Sequence, residues 1–553
     1  MNKKSIILGL TLALVGCLPM GASFAAGTPH FKNNKAVAEY FWNEVFNKHD
    51  TAVINTMVGP KYKQHSPEFA DGKQAFKDGV SGFLKAYPDS TAVIKHIGAD
   101  GDLVFIHNHI KLNKEDRGQA AVDIFRIKDG KIAFIGSEQP EAAEIIDAEG
   151  KVVSPGFIDI HMHEENFRKE GKKFVIARMM MEMGVTTAVG GNCGVMYQPL
   201  SEFKQTIEEL GGSPVNYVML AGYNQYRTAM GIGRYAHPSQ KQMDELAEIM
   251  KRELAEGAYG ISFGIEYDPG ITFDEMLNAV RVSDNPHLLV SAHYRDETKK
   301  DDLFPVEEMI RFALEIPQKF QISHLSSCSA TGSMKEALEC INAAMEKNPR
   351  LNYDTYPYNA FSTEIGSAVF EDGCLEQWGK DYSDILLTDE PFKNVHCTEE
   401  IFREAREKYP NMLAVAAVMN EDEITAAIVN KNGMVASDAI INNGGGHPRA
   451  AGTFPRVLGK YVREEKALPL IDALRKITLE PAKRLELDNK GRIEAGCDAD
   501  ITIFDPETII DKADFTQLSR PEGIDYVIIN GNTAIAHGEN VSEREGRFIS
   551  FCK

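Results

Sequence analysis

Eight times between residues 157 and 438 a short apolar run gives way to a longer polar or amphipathic stretch, and no other feature restricts the fold as much. The runs cover 157–161, 185–190, 215–221, 258–264, 288–293, 319–324, 350–354 and 433–438. Intervening stretches such as 240–256 and 305–314 carry helical periodicity. Eight strand–helix units over about 330 residues predict an α/β architecture, a TIM-type (β/α)8 barrel, with its chemistry at the C-terminal strand ends.

Ligand-type residues fall at those ends. His161 and His163 close the first run, Cys193 follows the second, and His293, His324 and Asp438 close the fifth, sixth and eighth. Side chains alternate along an extended chain, so a His-x-His pair turns both imidazoles toward one cation. Two histidines alone are weak evidence, but with His293, His324 and a thiolate-forming Cys193 at one barrel mouth they point to a metal site. Asp438 reads either as a helix cap or as a carboxylate that takes a proton from metal-activated water, and the neighbouring histidines favour the second reading.

Before the barrel, helical spacing of Val37, Tyr40, Phe41 and Val45 precedes strand-like runs at 91–94, 103–110 and 121–127, an α+β unit. Earlier still, Lys3 and Lys4 lead into an apolar run, 6–15, that ends in small residues. This is the pattern of an export signal, residues 1–25, cut after Ala25; Leu14-Val15-Gly16-Cys17 leaves a lipid anchor at Cys17 open. Either route leads to the periplasm, and the run is too short to span a membrane permanently. Of eight cysteines seven remain after the cut, widely separated and odd in number, so at least one is a free thiol. Lys+Arg 60 against Asp+Glu 81, a formal charge of -21, excludes a nucleic-acid or anionic-membrane partner and favours a small-molecule substrate.

Two resemblances give these parts content. Tyr62-Lys-Gln-His65-Ser-Pro, Tyr87-Pro-Asp89, the run from Asp100-Gly101-Asp102 to His107-Asn-His109, and Asp123-Ile-Phe-Arg-Ile-Lys-Asp-Gly130 resemble the SnoaL-like branch of NTF2-like cone domains, expected over 28–128. That likeness implies a cone-shaped pocket that His65, His107, His109 and Asp123 line. Ser154-Pro-Gly-Phe-Ile-Asp-Ile-His161-Met-His163, Gly191-Asn-Cys193-Gly, Ile265-Glu266-Tyr267, His293-Tyr-Arg295, Ile322-Ser-His324, Tyr356-Pro-Tyr358, Ser437-Asp438 and Gly446-His447-Pro-Arg449 resemble the D-aminoacylase (N-acyl-D-amino-acid deacylase) branch of the amidohydrolase superfamily.

The second resemblance implies a barrel over 154–484 beside a small β-sandwich domain formed by 129–153 and 485–553. It implies one or two Zn2+ ions on His161, His163, Cys193, His293 and His324, with Asp438 as catalytic acid/base. Arg449 would pair with the substrate carboxylate, and Tyr267, Arg295, Tyr358 and His447 would contact the substrate, an N-acyl-D-amino acid hydrolysed to a carboxylate and a free D-amino acid.

This chain departs from the branch in places. Leu325 and Ser326 replace a usual His-Lys, Gly222-Tyr223 replaces Gly-His, and acidic Glu164 and Glu165 follow His163, all of which bear on substrate identity. The opening strands of the sandwich are missing ahead of Asp129-Gly130-Lys131-Ile132, which leaves a sheet edge for another domain or a second subunit to cover. A cyclic-amide or dipeptide hydrolase such as a hydantoinase, which uses a carboxylated lysine where Cys193 stands, and a non-catalytic binder working through the first domain are the alternatives. Homo-oligomerisation stays open.

Overall fold

The computed structural model describes residues 13–15, 34–58, 73–100, 103–126, 146–295 and 303–553. The export cut at Ala25, Cys17, Tyr62, His65 and the Asp129-Gly130 turn lie outside them, as does the side chain of Asp123. The chain divides into two compact units, residues 1–145 with 492–499, and 146–491 with 500–553.

In the larger unit the eight barrel strands are β1 (Phe157–Asp159), β2 (Val185–Gly190), β3 (Asn216–Met219), β4 (Gly260–Gly264), β5 (Leu289–His293), β6 (Lys319–Ile322), β7 (Leu351–Thr355) and β8 (Met434–Val435). Each neighbouring pair is parallel, with Ala221–Gly222, just past β3, pairing with β4. The ring closes where Met162 bridges Ala439 in parallel, with Asp438 N–H donating to the His161 carbonyl at 2.7 Å. Most of these strands are buried along their whole length, because parallel barrel strands are covered on both faces. That burial is why they read as unbroken apolar runs.

Helices start where side chains satisfy the first free N–H groups. Ser239 and Gln242 form a reciprocal cap on Gln240–Ala255, Thr272 caps Phe273–Val280, and a proline opens Phe304–Glu315. Between β7 and β8 the chain inserts an antiparallel sheet of Phe361–Glu364, Leu413–Ala416, Ile385–Leu387 and Val395–His396, which the strand count from sequence does not include.

A five-stranded antiparallel sheet, ordered Glu539–Asn540, Asn532–Ala536, Ile524–Ile529, Ile501–Phe504, Val152–Pro155, joins the barrel. Its one strand from before the barrel is an edge strand and runs through Gly156 into β1. A Cβ on Gly156 would lie 2.2 Å from Thr186 Oγ1, so only glycine passes there.

The smaller unit packs helices Asn34–Trp42 and Lys73–Ala86 on a sheet of Thr91–Asp100, Leu103–Lys111 and Gln119–Arg126. Its core holds Phe41, Trp42, Val45, Phe76, Val80 and Ile106, and Trp42 Nε1 donates to the Ala92 carbonyl at 2.9 Å. Ala13–Val15 adds a parallel strand to Gln119–Arg126; it lies within the segment read as an export signal, so a chain cut after Ala25 would end its sheet one strand earlier. Among the described residues one small cavity in this unit is lined by Trp42, Phe46, Phe83, Ser90, Thr91, Ala92 and Ile110. His107 and His109 do not line it: His107 Nδ1 meets His96 Nδ1 at 3.1 Å, and His109 Nε2 meets the Arg117 carbonyl at 2.9 Å.

Candidate metal centre

At the C-terminal rim of the barrel the strands end in tight turns. Cys193, His324 and Asp438 have φ of 53°, 31° and 49°, a left-handed conformation that non-glycine residues hold only when their surroundings enforce it. For Cys193 the enforcing contacts are visible. Glu164 accepts from Gly191 N–H and Tyr197 N–H, both at 2.9 Å, and so clamps both ends of the turn that carries the thiol.

The result is a compact donor cluster. Cys193 Sγ is 3.3 Å from Nε2 of both His161 and His324, and Asp438 Oδ1 lies 3.4 Å from His161 Nε2 and 3.3 Å from His163 Nε2. Ligand atoms of His161, Cys193, His324 and Asp438, all buried, lie within 4.8 Å of one another. The His293 ring stands edge-on to His324 with centroids 4.3 Å apart, but its Nε2 is turned to the Glu266 carboxylate. All five histidine and cysteine candidates thus gather at one mouth, with His293 offset toward Glu266.

Two acids not singled out in the sequence orient this cluster. Asp354, in β7, faces His161 Nδ1 at 3.3 Å and accepts from His324 N–H at 2.8 Å and Gln321 Nε2 at 2.9 Å. Asp159, in β1, accepts from the backbone N–H of His161 at 3.1 Å and of Ser437 at 3.0 Å, which sets the approach of His161 and Asp438 together. Burial pushes the Asp159 carboxyl up to about 7.

The electrostatics call for positive charge. Burial works against ionisation of the Cys193 thiol, yet the His161 and His324 imidazoles hold it well below its ordinary range. Asp438 is likewise held well below the usual carboxylate range against burial, chiefly by Arg449 and then His324. The same anions carry His163 and His324 up to about 9 although burial alone would lower them. A divalent cation answers this surplus of negative charge without protonating the imidazoles. Nδ1 of His163 and of His293 has no hydrogen-bond partner despite burial, and thiolate plus imidazole is a zinc-type donor set, so these residues fit a metal.

Beside the cluster lies a narrow cleft lined by Glu266, Tyr267, Ser327, Arg449 and an apolar wall of Phe361, Val369 and Trp378. Arg449, 1 % exposed, puts Nη1 2.9 Å from Asp438 Oδ2, donates Nη2 to the Ser362 carbonyl at 3.0 Å and stacks on Tyr356. Its Nε is left without a partner. His447 Nδ1 accepts from Arg449 N–H at 3.0 Å, and burial with Arg449 nearby keeps the ring neutral, its pKa well below the ordinary value.

The other expected substrate contacts divide. Tyr267 packs its ring 4.5 Å from that of His293 and lines the cleft. Tyr358 instead donates to Asp511 at 3.1 Å, and Arg295 donates to Glu308 at 3.0 Å and to the Pro269 carbonyl at 2.8 Å, so both are spent on structure away from the cleft. Glu165 also has a local task, accepting from Val175, Ile176 and Ala177 N–H at the start of helix Ile176–Glu182.

Comparison with known proteins agrees with this architecture. A SnoaL-like domain model matches residues 37–135. A D-aminoacylase of Alcaligenes xylosoxydans xylosoxydans is 28% identical over 461 residues, covering 77% of this chain and 93% of that protein. The crystal structure of N-acyl-D-glutamate deacylase from Bordetella bronchiseptica, complexed with zinc and a phosphonate inhibitor, superposes with a TM-score of 0.67 at 26% identity, over 77% of this chain and 94% of that one. A crystal structure of D-aminoacylase gives a TM-score of 0.68 at 26% identity, over 79% and 97%. The Amidohydrolase family model matches residues 152–534, more than half of the sequence, and the chain therefore belongs to the amidohydrolase family.

Proposed function

We propose that the protein is an exported, zinc-dependent hydrolase that cleaves the N-acyl bond of N-acyl-D-amino acids to a carboxylate and a free D-amino acid. The observation that carries this reading is the buried Cys193 thiol between His161 and His324, with Asp438 against the same imidazoles. His161, His163, Cys193, His293 and His324 would hold one or two ions. Zinc bound there supplies Lewis-acid polarisation of the acyl carbonyl and acidification of water.

The chain's own groups do the rest. Asp438, kept ionised by Arg449, takes the proton of the attacking water and delivers it to the leaving nitrogen. Arg449 offers its free Nε to the substrate carboxylate while the Ser362 carbonyl and the Tyr356 ring hold the guanidinium in place and His447 fixes the Arg449 backbone. Phe361, Val369 and Trp378 keep bulk water from the reacting bond. The relatives named D-aminoacylase and N-acyl-D-glutamate deacylase support this substrate class.

Amine release from N-acetyl-D- and N-acetyl-L-methionine by the zinc-loaded protein, with a chelated control, tests it. Zinc-dependent turnover of the D form alone is expected; equal turnover of both, or turnover that survives chelation, refutes it. Export is tested by mass spectrometry of the mature N-terminus, which begins at Ala26 after signal cleavage and at a lipid-modified Cys17 after the alternative route.

A further inference from the structure

Each imidazole of the cluster has a second nitrogen, and what that nitrogen meets decides how firmly the first is aimed. Nδ1 of His161 faces Asp354 at 3.3 Å, and Nδ1 of His163 and of His293 has no hydrogen-bond partner. His324 differs from all three. Its Nδ1 lies 2.6 Å from Oγ of Ser327, in the short helix Leu325–Ser329 just after β6. Ser327 also grips the backbone of His324, because its N–H and its hydroxyl both donate to the His324 carbonyl at 2.9 Å. Together with Asp354, which accepts His324 N–H at 2.8 Å, these bonds close the turn in which His324 holds its φ of 31°.

A serine hydroxyl carries one proton. Donated to the His324 carbonyl, it leaves Oγ to accept from the ring. In the neutral imidazole that a metal requires, the proton then sits on Nδ1 and Nε2 keeps its lone pair. The opposite arrangement, with the hydroxyl donating to Nδ1, would set the lone pairs of Oγ and the carbonyl against each other at 2.9 Å. Cys328 Sγ, 3.6 Å from Oγ, adds only a weak contact. Nε2 is the nitrogen on the Cys193 side, 3.3 Å from Sγ. A thiolate there draws an N–H toward itself, and an Nε2 that donates to sulfur has no lone pair for a cation. We infer that Ser327 is a positioning residue, which fixes both the turn and the tautomer of His324 so that Nε2 stays open as a metal ligand. This rests on the zinc reading of the cluster. The adjacent Ser326 has no such part, since its hydroxyl meets Thr355 Oγ1 in β7.

Zinc affinity of the purified full chain, read by competition against a chromophoric chelator, is the test, with Tm measured for every variant. Ser327→Ala should weaken zinc binding by about 10–100-fold, while Ser327→Thr, which keeps a hydroxyl, and Ser326→Ala should stay within about threefold of the parent. Unchanged affinity in Ser327→Ala, no recovery in Ser327→Thr, or an equal loss in Ser326→Ala overturns the inference. Should Ser327→Ala melt well below its parent, the pair Ser327→Thr and Ser327→Val, alike in shape and different in the hydroxyl, decides. A parent that binds no zinc sinks the zinc reading and this inference with it. Tight zinc without amine release sinks the deacylase reading alone, and amine release with affinity unchanged in Ser327→Ala sinks this inference alone.

Discussion

Asp354→Asn weakens zinc binding without removing any donor, because Asp354 acts only through its neighbours. One carboxylate oxygen faces His161 Nδ1 and accepts His324 N–H, and the other accepts Gln321 Nε2. Asparagine can replace one oxygen only. If it keeps the first, its NH2 opposes the Gln321 NH2, and Gln321 cannot flip to help since its Oε1 already accepts from Arg484 Nε at 3.1 Å. If it keeps the second, the NH2 opposes His324 N–H and His161 loses its acceptor. Either way His161 loses its anionic partner, and in the second case the His324 backbone N–H loses its acceptor as well. Removing the orienting partner of a metal-binding histidine typically lowers affinity by about 10–100-fold, which is about 1.4–2.8 kcal/mol. Competition against a chromophoric chelator measures the zinc dissociation constant of parent and variant directly. An unchanged constant, with the variant folded, would refute the orienting role of Asp354.

Three further outcomes are expected. Asp438→Asn lowers kcat by about 10²- to 10⁴-fold; steady-state amine release within tenfold of the parent would count against its role in proton transfer. Arg449→Lys loses the planar fork that reaches Asp438 and the Ser362 carbonyl together, and kcat/KM falls by about 10- to 100-fold, mostly through KM, as expected for a charged hydrogen bond worth about 1.5–3 kcal/mol. Burial raises the Glu165 carboxyl to about 7 from 4.5, so between those values the folded chain binds a proton that the unfolded chain has released, and stability falls as pH rises through that window. Glu165→Gln removes this contribution; the drop in Tm from pH 5 to pH 8 should be smaller than in the parent, and an equal or larger drop contradicts the assignment.

The barrel was legible from sequence because its strands are covered on both faces, so 185–190 or 288–293 show as apolar runs without needing a partner. The convergence of His161, Cys193, His324 and Asp438 followed from one rule about strand ends. What escaped notice depended on contacts distant in sequence. Asp354 sits in an ordinary strand, and its importance comes from His161, 193 residues before it in the chain and facing it at 3.3 Å. Arg295 carries a cleft-type motif, yet Glu308, one helix onward, claims its guanidinium. The sheet inserted between β7 and β8 has strands of only two to four residues, too short for periodicity to register.

His163, Glu164 and Glu165 are consecutive, and each reaches a different part of the larger unit: Asp438, the turn of Cys193, and the first N–H groups of helix Ile176–Glu182. A shift of one residue in that register would disconnect all three at once. The tripeptide is therefore a junction at which proton transfer, thiol placement and helix docking cannot be tuned separately. New substrate preferences are easier to reach from Val369 and Trp378 in the cleft wall, which carry none of those hydrogen bonds.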